Sequence, residues 1–381
     1  MNPKIERFLR DRQPETPCLV VDLSVVKKNY QKIRRELPLA DVYYAVKANP
    51  APDILKLLVG LGSYFDAASG GEISQCLASG AKPERISYGN VIKKERDIAE
   101  AFSRGVRLYA FDSEAELLKL AAAAPGSQVY CRILVPNQGA DWPLSRKFGC
   151  DLTMARDLMI RARDLGLQAY GISFHVGSQQ HDAKQWDIAL ARTAMVFTDL
   201  RNAGIELKMV NLGGGFPVQY RENPGKPELP SFKAFAAAIM KGMTRHFGND
   251  LPRMLIEPGR AIAAEAGVIE TEVVLIARKS YDDPLRWVYL DVGMFGGLAE
   301  TMNESIQYAF RTPADGRAES PVAIAGPTCD GVDILYEKAG YTLPVDLKIG
   351  DRVQVLRAGA YTTTYASVGF NGFLPLKEHY I

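Results

Sequence analysis

Hydrophobic positions in the first two thirds of the chain follow two alternating patterns. Short apolar runs, rich in β-branched and aromatic residues, indicate buried strands. Between most of them lie longer segments in which apolar residues recur every three or four positions, the spacing of one helix face. An amphipathic helix, "LSVVKKNYQKIRREL", precedes the first run. The strand candidates are "VYYAVKAN", "GSYFDAAS", "RISYGN", "VRLYAFD", "VYCRILV", "YGISFHVGS", "KMVNLGGG" and "RMLIEPG".

This alternation predicts an α/β fold with a parallel sheet. Eight strand candidates over about 240 residues favour a (β/α)₈ TIM-type barrel, which has this number of strands and this length. A doubly wound open sheet also alternates strands with helices, so the pattern alone leaves that architecture open.

The helical spacing stops after residue 260, and strand-like segments separated by Pro, Gly and Asp follow. We therefore predict a C-terminal all-β domain over residues 262–381, joined by residues 1–23, which contain the strand candidate "TPCLVVDL". The barrel is predicted over residues 24–261. The later strand candidates are "GVIETEVVLIARKS", "RWVYLDVG", "PVAIAG" and "DRVQVLRAGAYTTTY".

Composition narrows the functional classes. The 381 residues are 47% hydrophobic and 24% charged, which is typical of a globular protein. The net charge of +2 without a basic run argues against nucleic-acid binding. We expect a cytoplasmic protein without a membrane partner, because the N-terminal segment lacks a signal-peptide core and no run approaches the ~20 apolar residues of a membrane span. The five cysteines lack C-x-x-C spacing, which indicates free thiols and no metal site.

Reactive side chains follow the predicted strands. In a barrel, residues just after the strands converge at one mouth, where function lies. Taken singly, each has an ordinary explanation: a solvated lysine, a hydrogen-bonded core histidine, a helix-capping aspartate, a tight glycine turn or a turn held by a Glu–Arg pair. Their joint placement at strand ends favours a functional site instead. These residues are Lys47, Asp66, Arg132, His175, Ser178, Gly213, Gly214, Gly215, Glu257 and Arg260.

Pyridoxal 5′-phosphate (PLP) is a cofactor that uses this set of groups. A lysine at a barrel mouth can form a Schiff base with an aldehyde, which assigns that role to Lys47. Backbone N–H groups of the loop 213–215 can approach a phosphate. An imidazole can stack on an aromatic ring, and a carboxylate can keep a pyridine nitrogen protonated. The sequence therefore predicts PLP as the cofactor.

Nine motifs strengthen this interpretation. "YYAVKAN", "FDAAS", "CRI", "HVGSQ", "GGGFP", "EPGR", "GPTCDGVD", "GAYT" and "FNGF" occur in this order between residues 43 and 373. With them the sequence resembles the fold-type III PLP-dependent decarboxylases, which are related to eukaryotic ornithine decarboxylase and to alanine racemase. "GPTCDGVD" together with "FNGF" resembles the ornithine decarboxylase branch.

The resemblance implies a role for each cofactor residue. Lys47 would hold the cofactor, His175 would stack on its ring, and Glu257 would pair with the ring nitrogen. Asp66 and Arg132 would line the pocket. The phosphate would be surrounded by Ser178, Gly213, Gly214, Gly215, Arg260 and Tyr361.

The resemblance also implies a substrate pocket and a homodimer. Cys329 would protonate the carbon that carbon dioxide leaves, and Asp330 would bind the distal ammonium of the substrate. In the family both residues enter from the neighbouring subunit, so the active sites would be composite. The substrate pocket would consist of Cys329, Asp330, Phe295, Tyr361 and Phe370.

The chain departs from the family at one end of this pocket. Relatives commonly carry a tyrosine where this chain has Phe295, followed by an aspartate in a short helix. The candidates for that polar position are Glu300, Asn303 and Glu304.

The expected function is the decarboxylation of L-ornithine to putrescine and carbon dioxide, a step of polyamine biosynthesis. An alternative is a sister decarboxylase acting on lysine, meso-diaminopimelate or carboxynorspermidine; "CDG", where diaminopimelate enzymes typically carry "CES", counts against diaminopimelate. Glu257 disfavours a racemase, which typically sets an arginine against the ring nitrogen. A non-catalytic PLP-binding homologue is disfavoured because Lys47, His175, Glu257, Cys329 and Asp330 are all retained.

Overall fold

The computed structural model describes residues 2–142, 147–222 and 229–381. Within these residues the chain divides into two compact units. The first, here called the barrel unit, comprises residues 27–217 and 229–261. The second, the sheet unit, comprises residues 2–26, 218–222 and 262–381.

Eight parallel strands among the described residues form a closed barrel in the barrel unit. They follow one another around the barrel in chain order, and the last pairs with the first. Each overlaps one of the eight strand candidates, and three begin one or two residues before the candidate does. The predicted TIM-type barrel is therefore confirmed and the open sheet is wrong. The strands are Ala40–Ala45, Tyr64–Ala67, Ile86–Tyr88, Leu108–Phe111, Gln128–Arg132, Gln168–Ser173, Met209–Asn211 and Arg253–Ile256.

Helices connect the successive strands, and several begin with a side-chain cap. Ser69 and Ser113 each accept a hydrogen bond from the backbone N–H of a glutamate three residues later. This S-x-x-E pattern is that of a capping box, of which the serine half forms here and fixes the helix start, while Glu72 accepts from the N–H of Ala68 and Glu116 from that of Lys93. No helix among the described residues is long and apolar enough to cross a membrane. The helix Leu23–Glu36 precedes the first strand, and the connecting helices are Pro52–Gly60, Gly70–Ala78, Glu95–Ser103, Glu114–Ala123, Leu152–Asp164, Lys184–Asn202 and Phe232–Phe247.

Side chains fill the interior of the barrel, so a functional site can form only at its ends. Tyr43, Tyr130, Met209 and Leu255 belong to one buried cluster. At the N-terminal ends of the strands, the Nε of Arg253 donates a hydrogen bond of 2.7 Å to an Asp41 carboxylate oxygen. The paired charges fit a structural role at that end, as expected for the face of a barrel opposite its active site.

The sheet unit is built around one mixed sheet. Cys18–Val21 pairs antiparallel with Gly267–Ala277 and parallel with Lys377–Tyr380. An N-terminal helix, Pro3–Arg12, packs Ile5 and Leu9 against this part of the sheet. The other strands of the unit are Arg286–Leu290, Phe310–Arg311, Glu319–Ala325, Ile334–Pro344 and Arg352–Leu356.

Candidate active site

The barrel unit places ten of the predicted residues at or just after the C-terminal ends of its strands. Lys47 lies in a short 3₁₀ turn, Val46–Ala48, which directly follows Ala40–Ala45. Arg132 is the last residue of its strand. Asp66 is the last residue but one of its strand, and the others follow their strands within a few residues, so the barrel brings them together at one mouth. These others are His175, Ser178, Gly213, Gly214, Gly215, Glu257 and Arg260.

The turn that carries Lys47 is held by its neighbours. The Tyr44 hydroxyl donates a hydrogen bond of 2.9 Å to the carbonyl of Asn49, and the Asn49 side chain accepts one from the N–H of Ala51. The Lys47 Nζ lies 3.3 Å from Asp66 Oδ2. The Lys47 side chain is 47% exposed and that of Asp66 is 6% exposed. The amine is therefore accessible while its carboxylate partner is buried.

Asp66 packs closely against a neighbouring loop while it contacts Lys47, and it does not cap the next helix. A Cβ on Gly89 would lie 1.8 Å from Asp66 Oδ1, so the neighbouring loop needs a glycine there. The cap of helix Gly70–Ala78 is Ser69. The helix-capping explanation of Asp66 is therefore wrong.

Glu72 adds a second carboxylate near Lys47 that sequence reasoning missed. Its Oε2 accepts a hydrogen bond of 2.7 Å from the N–H of Ala68. Burial raises the pKa of Glu72, and the Lys47 charge opposes that shift. In the sequence, Glu72 stands out only by its capping-box spacing from Ser69. That spacing indicates a structural role and gives no indication that Glu72 lies near Lys47.

The glycine loop 213–215 is a cradle with no room for side chains. Gly213 has a φ of +66°, and a Cβ there would lie 2.4 Å from the carbonyl oxygen of Phe174. Gly215 has a φ of +93°, and a Cβ there would lie 2.3 Å from the carbonyl oxygen of Gly177. Both positions therefore require glycine, which leaves the backbone of this loop open to close approach by a ligand.

A buried arginine and a hydroxyl lie next to this loop. The Arg260 guanidinium donates a hydrogen bond of 3.2 Å to Ser178 Oγ, and Arg260 is only 5% exposed. The strand Ser178–Gln180 is tied to the loop because the N–H of Gln180 donates to the carbonyl of Gly215. A buried guanidinium beside a glycine loop suits an anionic group such as a phosphate.

His175 is held as a neutral ring. Its Nδ1 accepts a hydrogen bond of 3.1 Å from the N–H of Gly177. Desolvation lowers the pKa of His175 well below the usual value, and the charges of Arg132 and Lys47 lower it further. Its Nε2 lies 3.4 Å from the place where a Cβ of Gly214 would stand, so the ring adjoins the glycine loop. An uncharged imidazole in this position is suited to stacking.

Glu257 carries an unusual carboxylate. Desolvation raises its pKa to about 7 and the nearby charge of Asp66 also raises it, against the opposing effects of Lys47, Asn211 and Arg132. The Asn211 side-chain amide donates a hydrogen bond of 2.5 Å to Glu257 Oε1. Asn211 was missed in the sequence, where it appears only as the last residue of an apolar strand.

The barrel mouth thus fits PLP on four grounds. It has an accessible amine for an aldehyde and a side-chain-free cradle beside a buried arginine for a phosphate. It also has a neutral imidazole that can stack on an aromatic ring. Finally, it has a carboxylate that can pair with a protonated ring nitrogen, because a nearby cation stabilises its charged form.

The residues predicted for the substrate belong to the sheet unit. Cys329 and Asp330 are exposed in the loop between two strands. The N–H of Cys329 donates a hydrogen bond of 3.0 Å to Asn371 Oδ1, and Asp330 Oδ1 accepts one of 3.0 Å from the N–H of Val332. The Cys329 loop is therefore fastened to the "FNGF" segment, through a residue that sequence reasoning had not selected.

Aromatic side chains accompany this loop within the sheet unit. The rings of Phe295 and Phe370 lie 4.7 Å apart between centroids. The two segments are also joined because the N–H of Ser367 donates to the carbonyl of Phe295. Tyr361 is partly buried and has a φ of +61°, in the left-handed region.

The three candidates for the polar end of the pocket differ in their surroundings. Glu304 Oε1 accepts hydrogen bonds of 2.7 Å from the N–H groups of both Glu337 and Lys338. Glu300 is buried, at 6% exposure, whereas Asn303 is exposed. One Glu304 oxygen is thus committed to the backbone of a neighbouring strand.

Comparison with known proteins agrees with this geometry. Residues 23–264 match the family described as "Pyridoxal-dependent decarboxylase, pyridoxal binding domain". A lysine/ornithine decarboxylase of Selenomonas ruminantium is 37% identical over 98% of this chain and 91% of its own length.

Solved structures of other basic amino-acid decarboxylases share the fold. Lysine/ornithine decarboxylase of Vibrio vulnificus, complexed with cadaverine, superposes with a TM-score of 0.87 at 28% identity, covering 99% of this chain and 97% of that one. Arginine decarboxylase of Paramecium bursaria Chlorella virus gives a TM-score of 0.89 at 27% identity, covering 100% of both chains.

The geometry of the barrel mouth and these similarities lead to the same conclusion. The predicted cofactor, PLP, is confirmed, as is the predicted enzyme class. The chain belongs to the pyridoxal-dependent decarboxylases and is a PLP-dependent decarboxylase of basic amino acids.

Proposed function

We propose that the protein decarboxylates L-ornithine to putrescine and carbon dioxide, a step of polyamine biosynthesis. The observation that carries this proposal is the position of Asp330 next to Cys329 in one exposed loop. An acid for the distal ammonium of the substrate thus adjoins a proton donor. When bound, PLP takes up the electron pair that the departing carboxylate leaves on the α-carbon.

The barrel residues would hold and tune the cofactor. Lys47 is proposed as its covalent attachment point because its amine is accessible and sits on a rigid turn. Arg260 would bind the phosphate beside the glycine loop, with Ser178. His175 would stack on the ring. Glu257 would keep the ring nitrogen protonated, while Asp66 and Arg132 balance the charge of the pocket.

The sheet unit would supply the last proton and the specificity. Cys329 is proposed to donate its thiol proton to the α-carbon after carbon dioxide has left. Asp330 would pair with the distal ammonium, because a buried unpaired cation costs several kcal/mol. Phe295 and Phe370 would pack against the aliphatic chain of the substrate.

We also propose a homodimer with composite sites. The loop between the strands Glu319–Ala325 and Ile334–Pro344, which carries Cys329, is exposed on the single chain. Exposed apolar side chains lie in this loop and on either side of Asn371, to which it is hydrogen-bonded. Val332 is 60% exposed, Val368 87% and Leu374 85%. Exposed apolar groups beside a fixed loop are typical of an interface. A second copy of this chain is the proposed partner, and each Cys329 loop would serve its partner's barrel.

Lysine is the second candidate substrate. The relative from Selenomonas ruminantium bears the name lysine/ornithine decarboxylase, and the arginine decarboxylase shows that similar chains take longer side chains. One methylene in a pocket changes discrimination by only about 10- to 200-fold. We therefore expect ornithine to be preferred, lysine to be a slower substrate, and amino acids without a distal amine to be inert.

Carbon dioxide release from a panel of amino acids tests the substrate. The panel contains ornithine, lysine, arginine, meso-diaminopimelate and norvaline, which has the chain length of ornithine without its amine. Faster turnover of lysine than of ornithine would replace the proposed substrate. Equal turnover of norvaline and ornithine would remove the proposed role of an acid at the distal end.

The variant Asp330→Asn isolates the charge. It retains a side-chain oxygen to accept from the N–H of Val332, so the loop keeps its hydrogen bond. Loss of a hydrogen bond to a charged group predicts a fall of about 10- to 100-fold in kcat/KM for ornithine. Asp282→Asn, at an exposed position of the same unit, is the matched control. Normal kcat/KM in Asp330→Asn would contradict the assignment.

A further inference from the structure

Asn211 is a buried polar residue at the centre of the barrel mouth. It is the last residue of the strand Met209–Asn211 and is only 1% exposed. Its backbone carbonyl accepts from the N–H of Phe174, so the strand around it is fully engaged in the barrel. A buried amide must find partners for both its N–H₂ and its oxygen.

The two ends of this amide contact two different parts of the site. Asn211 Nδ2 donates to Glu257 Oε1 at 2.5 Å. Asn211 Oδ1 accepts from the N–H of Gly213 at 3.0 Å. The first contact reaches the carboxylate expected at the ring nitrogen, and the second reaches the glycine loop expected at the phosphate.

A third hydrogen bond closes the connection. The N–H of Glu257 donates to the carbonyl of Gly213 at 2.8 Å. Asn211, Gly213 and Glu257 are therefore linked pairwise, which fixes the carboxylate relative to the glycine loop. This arrangement also commits Glu257 Oε1 to the amide and leaves Oε2 as the oxygen for a further partner.

We propose that Asn211 is a positioning residue that holds the glycine loop and Glu257 as one unit and keeps Glu257 in its charged form. This role rests on the proposed contacts of Glu257 with the ring nitrogen and of the glycine loop with the phosphate. Asn211 itself touches neither group in this proposal and acts through the two residues that do.

The electrostatics of the site explain why an amide donor matters there. Desolvation and the charge of Asp66 raise the pKa of Glu257, and Lys47, the hydrogen bond from Asn211 and Arg132 lower it, to a net value of about 7. Without that donor the neutral form of Glu257 is favoured further. A neutral carboxyl group no longer stabilises a protonated ring nitrogen.

Two substitutions test the contributions of the amide's donor and acceptor. Asn211→Leu removes both the donor and the acceptor at similar volume. Asn211→Asp keeps the acceptor for the N–H of Gly213, and next to Glu257 it forms a pair of carboxyl groups that share one proton at neutral pH. Asn202→Leu, at an exposed helical position of the same unit, controls for the substitution itself.

Each protein is reconstituted with ¹⁵N-labelled PLP, and two quantities are measured at neutral pH. These are the dissociation constant of PLP, by fluorescence, and the protonation of its ring nitrogen, by solid-state NMR. We expect Asn211→Leu to bind PLP about 10-fold or more weakly, with the nitrogen signal shifted toward the neutral form. Asn211→Asp, with its shared proton, should stay closer to the wild type in both quantities.

Wild-type affinity together with a wild-type nitrogen signal in Asn211→Leu would overturn the proposal. So would an Asn211→Asp variant that is as impaired as Asn211→Leu, because its shared proton should replace the amide donor. If Asn211→Leu does not fold, Asn211→Ala, which also removes both the donor and the acceptor, takes its place in the same comparison. A wild-type protein whose PLP nitrogen is neutral would instead overturn the proposed role of Glu257.

Discussion

Glu257 is the residue at which burial and charge oppose each other most directly in the barrel mouth. Desolvation and the charge of Asp66 raise its pKa to about 7, from an ordinary value of 4.5. Lys47 and Arg132 favour its charged form. Because its pKa lies near neutrality, this carboxyl group ionises when a cation is placed next to it. A protonated ring nitrogen would be such a cation.

The raised pKa of Glu257 should make the stability of the cofactor-free protein depend on pH. Between about pH 4.5 and 7 the folded protein retains a proton on Glu257 that the unfolded chain has released. The free energy of unfolding therefore falls as pH rises through this window, by up to about 3 kcal/mol at ~1.4 kcal/mol per pKa unit. Glu257→Gln removes the ionisation, so its stability should not show this fall.

Urea unfolding of both cofactor-free proteins at several pH values checks this expectation. Glu265→Gln, at an exposed position, is the control and should follow the wild type. Parallel pH profiles for the wild type and Glu257→Gln would show that burial does not raise the pKa of Glu257.

At the level of residues, the sequence predicted the site residues that lie at strand ends, and it missed a residue whose side chain bonds to a neighbouring strand's loop. Lys47, Arg132 and His175 could be selected because the ends of parallel strands converge. Asn211 could not, because its partner Glu257 lies 46 positions later in the sequence. The substrate roles of residues such as Cys329 came from resemblance alone, and they stay predictions.

At the level of elements, apolar runs located the barrel strands because both faces of a parallel strand are buried. The helix Pro3–Arg12 was missed because only Ile5 and Leu9 are buried and most of its other residues are charged. The strand Ile334–Pro344 was missed for a similar reason, since exposed polar residues interrupt it. The strand expected over 351–365 ends at Leu356, where the next residue, Arg357, turns to a φ of +60°.

A buried lysine joins three elements of the barrel unit. Lys93 Nζ donates to the carbonyls of Asn90 at 2.8 Å and Ala110 at 2.6 Å, and lies 2.9 Å from Glu116 Oε1. Its side chain is fully buried. Lys93 thereby links the loop after the strand Ile86–Tyr88 to the next strand and to the following helix. The same loop contains Gly89, which packs against Asp66.

Lys93→Met should destabilise the protein strongly. It keeps most of the aliphatic length but leaves two carbonyls without this donor, while Glu116 keeps its ion pair with Lys119. The unsatisfied carbonyls cost about 3–5 kcal/mol together. Lys94→Met is the matched control, because Lys94 is exposed and adjacent, and it should change stability by less than about 0.5 kcal/mol. Equal urea midpoints for the two variants would exclude a structural role for the buried amine.

At the level of the whole molecule, the proposed catalytic groups are divided between two compact units. The amine Lys47 belongs to the barrel unit, whereas Cys329 and Asp330 belong to the sheet unit. Each unit holds its own groups rigidly, through the turn of Lys47 and the hydrogen bond from the N–H of Cys329 to Asn371. A sequence pattern cannot tell whether the two sets meet within one chain or between two.

Subunit mixing distinguishes these arrangements. In a dimer with composite sites, Lys47→Ala and Cys329→Ala are each inactive or nearly so alone, because every site lacks one group. A mixed dimer has one site with both defects and one intact site. Random exchange makes about half of the dimers mixed, so about a quarter of wild-type activity should return.

Exchange is verified by mass spectrometry of differently tagged chains, and activity is followed as carbon dioxide release. Two Lys47→Ala chains with different tags are the control, since they exchange equally and should stay inactive. Recovered activity that rises with the mixed fraction would support sites shared between subunits. No recovery despite complete exchange would place Lys47 and Cys329 of each active site in the same chain, because a mixed dimer would then contain no site with both groups intact.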